Sequence, residues 1–119
     1  MAGQIIPREA WLEWFQAFTQ QHHGWLISVE LAGPAGFDNR IADERPLESI
    51  SVLANGSIEV RVGGEAPLIH RIAEPFGVRV TESSPGAIAI VTIDSQTEQT
   101  RIRFRMPIAP ELVDGVIPG

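Results

Sequence analysis

Apolar positions keep a helical period over the first fifth of the chain and then change to alternation. From Arg8 to His22 they fall at Trp11, Trp14, Phe15 and Phe18, the i, i+3, i+4 and i+7 positions of one helical face, and His22 continues the stripe. Pro7 suits the first helical position, where a missing N–H costs nothing. Gly24 suits the left-handed residue that ends a helix. A helix over 8–22 is predicted. Beyond Gly24, Trp25, Ile27, Val29 and Leu31 alternate with Leu26, Ser28 and Glu30, which predicts a strand over 25–31. The following "AGPAGFDNRIADERP" (32–46) is rich in turn residues and reads as a long loop.

The stretch "ESISVLANGSIEVRVGG" carries an Asn-Gly turn signal, and its register follows from the faces. A two-residue loop would set Val52 against Glu59 and Ile50 against Arg61, bringing charge to the core face. A three-residue loop, Ala54-Asn55-Gly56, pairs Val52 with Ile58 and Ile50 with Val60. Gly56 then takes the left-handed position of a G1 bulge. The second register is expected, giving strands over 48–53 and 57–62. Alternation predicts further strands over 68–72, 77–82, 87–93 and 99–105, with a C-terminal tail over 107–119.

Seven short strands joined mostly by turns imply a mainly antiparallel sheet. The predicted class is α+β in a single domain over 1–119: an N-terminal amphipathic helix packed on a bent sheet of six to seven strands. Closure into a small SH3-like or Sm-like barrel would remove the sheet edges and is one outcome the pattern allows.

Composition narrows the chemistry. With 119 residues and 44% hydrophobic positions, the chain is long enough for one independent core. It has no cysteine, which excludes disulfides, thiolate metal sites and cysteine nucleophiles. All nine basic residues are arginine, which fits the codon usage of a GC-rich bacterial genome. The formal charge of −6 disfavours non-specific attraction to nucleic acid or anionic membrane. Neither a signal peptide nor a membrane span is apparent, so a cytoplasmic location is expected.

Three sets of side chains bear on function. Arg101, Arg103 and Arg105 alternate with Ile102 and Phe104, so their guanidinium groups share one face, with Arg79 and Arg61 able to join them from other strands. Such a stripe is suited to phosphate or carboxylate; the competing expectation is a solvated face paired with Glu48, Glu59, Glu82 or Glu98. His22 and His23, adjacent on a helix, point about 100° apart and cannot share a metal as i, i+4 ligands do. His22 is expected half-buried at the helix end on a backbone carbonyl, and His23 in solvent. His70 alternates with Leu68 and Ile72, and a site joining it to His22 and Glu74 has no supporting spacing. Trp11, Trp14 and Trp25 fit core packing better than a stacking platform. Gly63-Gly64 lacks the Lys-Ser/Thr of a phosphate loop, and no nucleophile motif is present.

Several stretches together resemble a bacterial family catalogued as domain of unknown function 5335. They are "IPREAWLEWFQAF" (6–18), "HHGWLISVE" (22–30), "PLESIS" (46–51), "HRIAEP" (70–75), "VRV" (78–80) and "RIRFRMPIAPELVDGV" (101–116). The family's His-x-Gly-Trp falls on His22, Gly24 and Trp25. The resemblance brings no activity, ligand or catalytic residue with it. The expected function is therefore a non-catalytic binding or oligomerisation module, with a protein partner or a homodimer and no cofactor or metal. Nucleic-acid or phosphate binding through Arg79, Arg101, Arg103 and Arg105 is the second expectation, and an enzyme using His22 or His70 the third.

Overall fold

In the computed structural model, which describes residues 2–33, 38–84, 87–96 and 98–105, the chain opens with a strand and not with the helix. This strand, β1 (Ala2–Ile5), pairs antiparallel with a later one. Its sequence, Ala-Gly-Gln-Ile, has no alternation to betray it. Pro7 follows with extended ψ (148°) and caps a 3₁₀ turn, Arg8–Ala10, instead of occupying the first helical position. Helix α1 then runs Trp11–His22 and buries Trp11, Phe15, Phe18 and His22, the expected stripe.

The helix ends in a β-turn. His23 is extended (φ −58°, ψ 130°), Gly24 has φ +87°, and the Trp25 N–H donates to the His22 carbonyl at 3.0 Å. This is the type II pattern, which requires φ > 0 at its third residue. Gly24 therefore has the expected positive φ, but in a turn and not in a helical cap.

Seven further strands follow: β2 (Leu26–Ala32), β3 (Asp38–Val52), β4 (Ile58–Val62), β5 (Leu68–Ile72), β6 (Pro75–Ser84), β7 (Ala87–Ser95) and β8 (Gln99–Arg105). All pairings are antiparallel, in the order β1-β6-β7-β8-β2-β3-β4-β5. The fold is thus α+β, with one short helix and an eight-stranded sheet. That order has two ends, β1 and β5, so the sheet is open and the small-barrel expectation is not met.

The predicted loop over 32–46 needs correction, because residues 38–46 are the first part of β3. Two register shifts hid it: Asp43 and Glu44 both lie opposite Ser28, and Ile41 is extra between Ala42 and Arg40. Bulges of this kind break the two-residue period that marks a strand in sequence. Glu44, at φ +52°, takes up the first of them, with its N–H donating to Ser28 Oγ at 3.2 Å.

β3 belongs to two layers. Its first part pairs with β2 as far as Pro46, and from Leu47 onward it pairs with β4. The hairpin register is the expected one, with Val52 opposite Ile58, Ile50 opposite Val60, and Gly56 at φ +91°. A buried cluster including Phe15, Ile27, Leu47, Ile58, Val60, Val78, Val91 and Ile102 fills the space beneath both layers. Where β2 has ended, α1 takes the place of a neighbouring strand. The Thr19 hydroxyl accepts the Ile50 N–H at 3.1 Å and lies 3.3 Å from the Ile50 carbonyl, to which it donates.

No helix among the described residues is long and apolar enough to cross a membrane, which says nothing of β-barrel membrane proteins. The tail over 107–119 lies outside the described residues.

Candidate functional site

β8 is an interior strand between β7 and β2, and strand alternation brings Arg101, Arg103 and Arg105 to its outer face. Arg103 donates to Glu30 Oε1 at 3.2 Å, and Arg40 donates to Glu30 Oε2 at 2.8 Å. Arg105 pairs with Glu44, and Arg101 donates to Gln99 Oε1 at 3.1 Å. Arg79 shares the face but stands on β6, with β7 between it and the stripe, and pairs with Asp94 at 3.1 Å. Arg61 is on the other layer, with Glu59. The stripe therefore exists, but Arg103, Arg105 and Arg79 engage Glu30, Glu44 and Asp94 instead of the expected Glu48, Glu82 or Glu98.

Glu59 is among the expected partners and does pair with Arg61, whereas Glu30 was not expected as one. Each is a strand residue facing away from the core, yet only 8% and 6% exposed, because arginines close over them. The hydrogen bond from Arg40, with Arg103 adding to it and burial opposing, holds the Glu30 carboxyl below its ordinary 4.5. Arg71 first and Arg61 second do the same for Glu59. A lowered carboxyl pKa contributes stability above pH 4.5 that is lost as pH falls through the folded value. The one signal in sequence was a glutamate within an apolar strand facing arginines at alternating positions.

A shallow groove of about 390 Å³ runs beside the stripe, with Leu26 and Ile90 next to Arg103, Arg105 and Arg40. Asp43 and Glu44 line it as well, so its charge is mixed. That balance suits a ligand bearing both signs, or none, better than a polyanion.

The histidines are placed apart. His22 Nδ1 lies 2.9 Å from the Phe18 carbonyl, and its ring stacks on Phe18 at 4.0 Å and meets Trp25 edge-on at 4.5 Å. His23 is exposed, 3.2 Å from the Glu48 carbonyl. His70 turns inward from β5 to the opposite layer, with Nε2 3.6 Å from Glu98 and 3.5 Å from Thr100 Oγ1. Burial lowers its pKa from 6.5, against the pull of Glu98. His22, His70 and Glu74 are not brought together, and no group of three potential metal ligands gathers among the described residues. Trp11 is buried with its indole N–H on the Ile6 carbonyl at 2.9 Å, while Trp14 stacks on Phe18 at 4.8 Å.

The surface that sequence reasoning missed is the outer edge of β5. Its five residues pair with β4 without a bulge, no described strand pairs on the other side, and Ile69 is 54% exposed. Edges are usually guarded by charged side chains, Pro or a bulge; β5 has no Pro and no bulge, and its one arginine, Arg71, is paired with Glu59. Periodicity could predict the strand, but which strand ends a sheet depends on all the pairings together.

No curated protein and no solved structure matches the chain. The model of a family of unknown function, domain of unknown function 5335, matches residues 2–112, and the chain belongs to that family.

Proposed function

We propose that the protein is a non-catalytic interaction module that associates with itself through an open sheet edge. The observation behind this reading is β5: a regular, unbulged edge strand with an exposed isoleucine. Main-chain groups at such an edge form a ready template for another strand. The arginine face supports a nucleic-acid or phosphate reading less well. Three of its guanidinium groups already hold carboxylates, and the groove beside it carries both charges. Native mass spectrometry and sedimentation across a concentration series test the reading. A homo-oligomer is expected. A chain that stays monomeric at every concentration overturns it.

A further inference from the structure

The direction of every main-chain group in the small layer can be worked out from one contact. Thr19 engages both the N–H and the carbonyl of Ile50, so these groups point away from β4. In an antiparallel ladder, residues that exchange hydrogen bonds alternate with residues that do not. Ile50 faces Val60, so that pair is non-bonded and Val60 turns its groups toward β5. The hairpin end agrees: the Leu53 N–H donates to the Ser57 carbonyl at 2.8 Å, which makes Ser51–Glu59 bonded and Ile50–Val60 not. Val60 faces His70, so Leu68, His70 and Ile72 bond back to β4. Ile69 and Arg71 are left with N–H and C=O directed outward, and neither has a main-chain partner among the described residues. The Arg71 side chain does not guard this edge, because it is drawn over its own sheet to Glu59 at 2.9 Å.

Building on the self-association reading above, we infer that β5 pairs antiparallel with β5 of a second copy, centred on His70. Ile69 then lies opposite Arg71 of the partner subunit, and Arg71 opposite the partner's Ile69. Each of these two pairs exchanges two hydrogen bonds, about four in all. Leu68 meets the partner's Ile72 on the core side, and Ile69 lies along the aliphatic stem of Arg71 of the partner subunit. Other registers do worse. A centre at Ile69 opposes Arg71 to the partner's Pro67, which has no N–H to give. A centre at Arg71 sets like charges face to face. A one-residue slip would oppose core-facing to outward-facing positions.

The central pair, His70 and His70 of the partner subunit, is a non-bonded one, with Cα atoms about 4.5 Å apart. That spacing lies within the disulfide range of about 4.4–6.8 Å. Because the chain has no cysteine, a single introduced thiol reports the register without background. Under mild oxidation the His70→Cys variant is expected to shift to twice the 13.0 kDa chain mass. The Ile69→Cys and Arg71→Cys variants should each remain uncrosslinked alone but crosslink when mixed. Arg71→Pro removes an outward donor while sparing the bonds to β4, and is expected to give a folded monomer.

If the wild type is an oligomer but Arg71→Pro leaves it intact, or Ile69→Cys crosslinks to itself, the β5 register is wrong and association runs through another surface. A wild type that is monomeric at all concentrations overturns both the register and the reading beneath it. Should His70→Cys fail to fold, the mixed Ile69→Cys and Arg71→Cys pair decides the register alone.

Discussion

At one edge of the β3–β4–β5 layer, the Thr19 hydroxyl occupies both main-chain groups of Ile50; at the other, Ile69 and Arg71 face outward without a described partner. The two edges belong to the same three strands and have similar alternation, yet among the described residues only one is covered. The cover is α1, which runs along β3 in line with β2, joined to it through the His22–Trp25 turn, and is packed by aromatic contacts. Phe18 lies between Trp14, His22 and Phe104, at 4.8, 4.0 and 4.9 Å. A sheet edge is thus sealed by side-chain chemistry on an amphipathic helix as well as by another strand. The edge that has no such cover among the described residues is the one at which association is proposed.

The comparison can be broken most severely by loosening the helix. Phe15 is fully buried, and Phe15→Ala is expected to cost about 3–5 kcal/mol in denaturant unfolding. A loss below about 1 kcal/mol would mean that α1 is not anchored by this stripe. Thr19→Val tests the seal itself. It keeps the shape but leaves the Ile50 N–H and C=O unpaired at a half-buried edge, costing about 1–3 kcal/mol. Thr19→Ser should restore most of that stability, and equal behaviour of the two variants would deny the hydroxyl its role.

His70, on the open edge strand, gives a smaller and pH-dependent effect. Its folded pKa lies below 6.5, so the unfolded chain takes up the proton first as pH falls. Stability therefore declines from pH 6.5 down to the folded value and is flat above it. Chemical denaturation between about pH 7.5 and about pH 5.5 should show that decline in the wild type and less of it in His70→Gln. Identical slopes would place no titration at His70. The smallest stability change is expected at the exposed face of the same strand. At concentrations where the wild type is dissociated, Ile69→Lys should alter unfolding by no more than about 0.5 kcal/mol, while at higher concentrations it abolishes association, because a lysine on an edge strand opposes pairing. If it alters neither, the open edge is not the surface in use.

The helix face and the hairpin register are legible in the sequence alone. The stripe Trp11, Phe15, Phe18 and His22 marked the helix face because its spacing matches the helical period. The hairpin register over Ile50, Val52, Ile58 and Val60 followed from keeping Glu59 and Arg61 off the core face. Local sequence carries such information because one side chain in two, or one in three or four, must be apolar to meet the interior. β1 was illegible because Ala-Gly-Gln-Ile has no period, and the first part of β3 because its bulges at Ile41 and Glu44 interrupt one.

Pairing order, the openness of the sheet and the closing of Arg40 and Arg103 over Glu30 lay beyond any local pattern. They depend on which strands become neighbours, a matter of contacts far apart in the chain. Arg103 and Glu30 are 73 residues apart. Sequence by itself determined the helix and the strands whose period is unbroken, and which of their faces turn inward, since period and burial are local consequences of backbone geometry. Only the tertiary structure decided that Thr19 covers one edge and that nothing described covers β5, because an edge is defined by the neighbour it has or lacks.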